Sequence, residues 1–325
     1  MIDSEFSLIS KYFSAKSAGR NDVELGIGDD CALLKAPDGM HLASTMDTLV
    51  SGVHFPESTD PYSIGYKSLA VNLSDLAAMG AEPAWASLAL TLPEADESWL
   101  QKFSEGFFSL LNRYGMTLIG GDTTKGPLSV TVHVIGLLPV DKGLRRDRAK
   151  SGDDVYISGH VGDAGLGLRV LTGNLEVITE SLQQQLLQRL NRPEPRVELG
   201  VALRDFANAA IDVSDGVAAD LGHILESSQR GARIQLELLP LSQAAKAYVE
   251  HGTDVIDIAL SAGDDYELLF TAASTHRTEI SKIAEKLSIP VTRIGKILQK
   301  NDLEILHFDR LRTYSVAGFD HFRKS

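Results

Sequence analysis

Hydrophobic residues along this 325-residue chain recur at two periods, which predicts helices and strands in alternation. The 3.6-residue period is clearest at 97–114, where Leu100, Phe103, Phe107, Leu110, Leu111 and Tyr114 fall on one helix face. A helix is also expected at 62–79, with Lys67, Val71, Ser74 and Ala78 as one stripe, Asn72 and Asp75 beside it, and Gly80 as its cap. An amphipathic helix opens the chain at 5–13, and short strands are expected at 40–44 and 116–119. Alternation over 128–138 predicts a strand closing a first domain. The polar stretch 139–153 sets the boundary, giving domains 1–140 and 141–325. In the second domain, strands are expected at 155–158, 209–213, 234–238, 266–270 and 291–297. Helices are expected after Gly162, on both sides of Pro193 and Pro195, between 216 and 231, and at 279–287. The whole reads as an α/β or α+β enzyme-like chain.

The strand ends carry an unusual chemistry. Gly-Ile-Gly-Asp-Asp (26–30), Gly-Gly-Asp-Thr-Thr (120–124), Ile-Asp-Val-Ser-Asp-Gly (211–216) and Gly-Asp-Asp-Tyr-Glu (263–267) each set aspartate beside glycine, serine or threonine, and Thr45-Met46-Asp47-Thr48 follows the same style. Short carboxylates on such turns are hard oxygen donors suited to Mg2+, which takes carboxylates, waters and substrate phosphates together. Asp30, Asp47, Asp75, Asp122, Asp212 and Asp215 are the candidate ligands. Any one of them alone could equally cap a helix or form an Asx-turn. Six together imply a counterion. The formal charge of −13 argues against binding nucleic acid or an anionic membrane, and a phosphate ligand then needs a bridging cation.

Composition narrows the class further. An apolar fraction of 43% and a charged fraction of 23% are those of a globular protein, and no stretch approaches a bilayer span or a signal peptide, so a cytoplasmic location is expected. The single cysteine, Cys31, excludes an internal disulfide and reads as a small buried residue opening an apolar run. Walker, dinucleotide-binding, zinc-protease and protein-kinase motifs are absent. Gly120 and Gly121 could admit a phosphate to backbone amides. One of Arg145, Arg146 and Arg148 could clamp a nucleotide phosphate, the other reading being a solvated linker. Tyr114 could stack a base or extend its apolar stripe, and His54 and Phe319 could contact a substrate or simply pack.

These residues together resemble the thiamine-monophosphate kinases, within the superfamily that includes aminoimidazole ribonucleotide synthetase. The resemblance rests on Glu-Leu-Gly-Ile-Gly-Asp-Asp-Cys-Ala (24–32), Asp-Thr-Leu-Val (47–50) with His54-Phe55, and Ala-Val-Asn-Leu-Ser-Asp-Leu-Ala-Ala-Met-Gly-Ala (70–81). Further on it rests on Gly120-Gly121-Asp122-Thr123, 212–216, Asp-Asp-Tyr-Glu-Leu (264–268) and Gly318-Phe319-Asp320. It implies a two-domain α/β architecture, a homodimer whose N-terminal sheets pair, and ATP-dependent phosphorylation of thiamine monophosphate with Mg2+. Metal ligands implied are Asp30, Thr45, Met46 through its backbone, Asp47, Asp75, Asp122, Asp212 and Asp215. ATP contacts implied are Tyr114, Gly121, Asp122, Arg146 and Ser214, and substrate contacts are His54, Asp264 and Phe319. Two positions depart from the family pattern: Met46 stands where threonine is usual, and Asp264 where glutamate is common. Rival expectations are a sister synthetase activating an amide or carbamoyl oxygen, and a silent binder of nucleotide or thiamine phosphate.

Overall fold

The computed structural model describes residues 5–16 and 19–312. The chain divides into two units, Met1–Leu76 with Ala81–Asp141, and Ala77–Gly80 with Lys142–Ser325. The first unit contains α1 (Glu5–Tyr12), the small antiparallel pair β1 (Val23–Leu25) and β2 (Leu33–Leu34), then β3 (Met40–Val50), α2 (Pro61–Met79), β4 (Glu82–Leu92), α3 (Glu97–Arg113), β5 (Thr117–Lys125) and β6 (Ser129–Pro139). Its main sheet has the order β3-β6-β4-β5, so β3 and β5 are the two edges.

One face of that sheet is apolar. Val130, Val132 and Val134 on β6 are fully buried while Thr131, His133 and Ile135 between them are only half-buried, the alternation of a strand with one face more deeply covered than the other. The helices supply the cover: Leu69, Leu73 and Leu76 on α2, and Leu100, Phe103, Phe107 and Leu111 on α3, are all buried. Asp96 caps α3 by accepting the amides of Ser98 and Trp99. The two helices approach closely at glycine. A Cβ on Gly65 would stand 2.1 Å from the Phe103 carbonyl oxygen, and one on Gly106 would stand 1.9 Å from that of Tyr62.

The second unit contains β7 (Asp154–Ser158), α4 (Asp163–Leu171), α5 (Glu180–Asn191), α6 (Val197–Leu203), β8 (Ala207–Asp212), α7 (Val217–Ser228), β9 (Gly231–Gln235), α8 (Gln243–Glu250), α9 (Val255–Ser261), β10 (Leu268–Ala272), α10 (Arg277–Leu287), β11 (Val291–Leu298), β12 (Leu303–His307) and β13 (Arg310–Leu311). Its seven-stranded sheet has the order β13-β12-β9-β11-β7-β10-β8, antiparallel except where β12 runs parallel to β9. Val155, Ile157, Ile211 and Leu269 from the sheet pack with Leu221 and Ile224 of α7 in its main core.

Several elements differ from their sequence expectation. The strand expected at 40–44 continues to Val50, carrying Thr45 to Thr48 within the ladder to β6. The strand expected at 116–119 runs on through Gly120, Gly121 and Asp122 to Lys125, because these residues pair in parallel with β4. Gly121 sits opposite Leu88, and a Cβ there would lie 1.8 Å from the Leu88 carbonyl oxygen. Close strand approach therefore requires that glycine. The strand expected at 234–238 is Gly231–Gln235 followed by a short 3-10 turn, and the one at 266–270 is Leu268–Ala272. Cys31 is exposed, not buried.

Candidate functional site

In the first unit, the pleat of β3 places Thr45 and Asp47 on the same face. Thr45 Oγ1 donates to Asp75 Oδ2 on α2 at 2.5 Å. Burial, reinforced by the charge of Asp75, pushes the Asp47 carboxyl up to about 6. These three side chains form one oxygen-rich group where β3 meets α2. Met46 projects to the opposite face, where it is 64% exposed, and pairs in register with His133.

The remaining first-unit candidates lie elsewhere. Asp30 occupies an exposed bend between β1 and β2, its amide donating to Asp29. Asp122 is exposed on β5, the edge opposite β3. Three strand spacings separate β3 from β5, about 14 Å measured along the sheet. His54 follows β3 in a turn, where its Nδ1 accepts the Val50 amide at 3.0 Å. That bond requires Nδ1 to be without a proton. Tyr114 is the C-cap of α3, half-buried, with the Arg113 guanidinium 5.2 Å from its ring centre. The buried stripe of that helix ends at Leu111, so Tyr114 is not part of it.

In the second unit, β8 delivers Asp212, 3% exposed, in register with Leu268. Beyond the strands the two segments stay joined through their backbones. Val213 donates to the Glu267 carbonyl at 2.8 Å, Tyr266 to that of Val213 at 2.9 Å, and Asp264 to that of Ser214 at 3.0 Å. Ser214 and Asp264 are thus held side by side. Asp264 adopts φ 69° and Tyr266 φ 49°, left-handed backbone uncommon outside glycine. The Tyr266 hydroxyl donates to Asp264 Oδ1 at 3.0 Å.

Buried charges anchor this loop. Asp265 accepts the amides of Gly162 and Ala164 at the start of α4, and burial holds its carboxyl well above the usual range. Glu267 is fully buried and accepts from Arg189, Arg196 and Ser158. Burial alone would raise it, but the hydrogen bonds and charge of Arg196, with Arg189, hold it below its ordinary value.

Asp215 has neighbours that sequence reasoning missed. Oxygens of Asp215 and Asp220 and a ring nitrogen of His223 lie within 4.8 Å of one another. Asp220 is 1% exposed, and burial, strengthened by the charges of Asp212 and Asp215, pushes its carboxyl up to about 8. Its sequence signal is a carboxylate set within the apolar stripe Val217, Ala218, Leu221, Ile224 of α7. Of the three linker arginines, Arg145 is paired with Asp147 and Arg148 reaches the Gly143 carbonyl. Arg146 begins a 3-10 turn and has no carboxylate partner among the described residues. Phe319 lies outside the described residues.

The chain matches the model of the AIR synthase related protein N-terminal domain over residues 28–138, and that of the C-terminal domain over 150–307. It is 50% identical over 321 residues to the thiamine-monophosphate kinase of Salmonella typhimurium, covering 98% of each chain. The chain belongs to the thiamine-monophosphate kinase family. Among solved structures, that of the thiamine-monophosphate kinase from Stenotrophomonas maltophilia superposes with a TM-score of 0.86 at 49% identity, over 93% of this chain and 96% of that one. A structure of AaThiL complexed with AMPPCP and TMP superposes at 0.77, with 32% identity over 98% and 97% of the two chains. For this family member the donor set suits a hard cation. The Asp75 carboxylate and the Thr45 hydroxyl bonded to it join Asp47 in a set of hard oxygen donors, and burial, then the charge of Asp75, raises the affinity of Asp47 for a proton.

Proposed function

We propose that the protein transfers the γ-phosphoryl group of ATP directly to the terminal phosphate of thiamine monophosphate, yielding thiamine diphosphate as the last step of its synthesis. The observation that carries this reading is the Thr45–Asp47–Asp75 group, a hydroxyl and two carboxylates brought together where β3 meets α2, a donor set that suits Mg2+. Family membership supports it, as does the AaThiL structure complexed with AMPPCP and TMP. The acceptor phosphate is already ionised near neutral pH, so no side chain need create a nucleophile. The obstacle is repulsion between two anions. Bound Mg2+ would neutralise both phosphates and align them for in-line transfer.

In this reading Asp30, Thr45, the Met46 carbonyl, Asp47, Asp75, Asp122, Asp212 and Asp215 hold metal. Tyr114, Gly121, Asp122, Arg146 and Ser214 hold ATP. His54, Asp264 and Phe319 hold thiamine monophosphate. Domain 1–140 carries nucleotide, metal and the dimer contact, and domain 141–325 completes the site in a cytoplasmic homodimer. Support for the dimer comes from the exposed apolar side chains of the edge strand β3, Leu42 and Met46. Placing Asp47 and Asp122 on opposite sheet edges is a second support, because a paired copy brings another edge within reach. The test is incubation of purified protein with ATP, Mg2+ and thiamine monophosphate, followed by chromatography. Thiamine diphosphate that vanishes with EDTA, with no phosphate trapped on the protein, is expected. Absence of product while ATP is bound would overturn the reading in favour of a sister synthetase.

A further inference from the structure

Helix α7 is fastened at each end, by one of its own side chains, to a segment of the proposed site. In its first turn Asp220 is 1% exposed among Val217, Ala218, Leu221 and Ile224. A carboxyl group in such surroundings is tolerated only with hydrogen-bond partners. It has them: Asp220 Oδ2 accepts the Asp215 amide at 3.0 Å, and the backbone of Ser214 is a further partner. At the other end, Ser228 Oγ donates to the Arg146 carbonyl at 2.7 Å and accepts the Ala149 amide at 3.0 Å. One helix therefore sets both the Ser214–Asp215 loop and the turn that carries Arg146.

We propose that Asp220 and Ser228 are positioning residues for phosphoryl transfer. Asp220 fixes the backbone from which Ser214 and Asp215 project, and Ser228 fixes the approach of Arg146 to a nucleotide phosphate. The proposal rests on the kinase reading above. A competing role for Asp220 is direct metal ligation, since its carboxylate lies near those of Asp215 and the ring of His223. Geometry favours positioning, because Oδ2 is committed to a backbone amide and the residue is buried within the helix packing. The two roles separate on substitution. Asparagine keeps an oxygen that accepts the Asp215 amide but supplies no anionic ligand.

The experiment compares wild type, D220N, D220A and S228A by calorimetric titration with Mg2+ and with a non-hydrolysable ATP analogue, alongside kcat, KM and thermal midpoint. D220A is expected to weaken Mg2+ binding about ten- to a hundredfold, while D220N stays within about threefold of wild type. S228A is expected to raise KM and Kd for nucleotide about fivefold with kcat nearly unchanged. Should D220A fail to fold, D220L suits the apolar surroundings, accepts no hydrogen bond and gives the same reading. D220N as damaged as D220A would make Asp220 a ligand and overturn its positioning role. Unchanged affinities in D220A and S228A with only a lowered midpoint would reduce both residues to fold support. If wild type forms no thiamine diphosphate, the kinase reading fails, whereas the titrations still decide whether α7 positions these two segments.

Discussion

Asp47 and Asp75 approach each other where β3 meets α2, and burial together with the Asp75 charge puts the Asp47 carboxyl at about 6. Its folded value lies above its unfolded one, so the folded state holds the proton more tightly. Stability from this group is accordingly highest in acid and declines as pH rises from the ordinary carboxylate range to about 6. Without divalent metal, D47N should remove that decline, gaining on the order of 2 kcal/mol over wild type between pH 4 and pH 7. Urea denaturation at both pH values measures it, and parallel losses in the two proteins would refute it. Mg2+ competes with the same proton, so its stabilising effect on wild type should grow as pH rises through about 6. Thermal melts with and without MgCl2 read this directly. Glycine-flanked aspartates were legible as candidates because their residue types announce hard-oxygen chemistry. Asp220 was not, because a single acidic residue in an apolar stripe reads as surface until the Asp215 amide is seen against it.

At the scale of elements, periodicity revealed α3 because it buries one stripe, whereas α2 is buried on nearly every side, and the closest contact between the two was invisible to it. Gly65 and Gly106 occupy helix interiors, where glycine normally weakens a helix, and here they let two backbones touch. G65A should therefore destabilise by about 1–3 kcal/mol through overpacking, despite alanine's better helix propensity. A gain in the urea midpoint would contradict this packing account. β4 escaped the sequence reading for a different reason. Its central position buries Ala84, Trp85, Ala86 and Leu88 in a nearly continuous run, which erases the alternation of a half-buried strand. The extra length of β3 and β5 was equally hidden, since pairing to β6 and β4 carries them through glycine and polar residues. In the second unit, fully buried Glu267 depends on Arg196 and Arg189 for its charge. R196A should cost about 3–5 kcal/mol, because it removes a partner from a buried carboxylate. Replacement that leaves the denaturation midpoint unchanged would show that Arg189 suffices.

Across the whole molecule, the first sheet carries Asp47 and Asp122 within β3 and β5, the second ends β8 on Asp212, and two AIR synthase related domains account for the alternation that the sequence displays. No helix among the described residues is long and apolar enough to cross a membrane. With Asp47 and Asp122 on opposite edges of the first sheet, a dimer that pairs these sheets would join one edge of each copy. Mixing D47N with D122N after reversible dissociation should then restore part of the activity that each variant lacks, through one intact site per mixed dimer. Restoration to no more than the average of the two variants would place both aspartates in a site made by one chain. The central claim, that the aspartates carry phosphoryl transfer by holding metal, is tested most directly by turnover and unfolding measured together for D122N and D212N. The account predicts a fall in kcat of about a hundredfold or more with little change in unfolding midpoint, as expected for groups whose main interaction is electrostatic at the transition state. Wild-type turnover in either variant would contradict it.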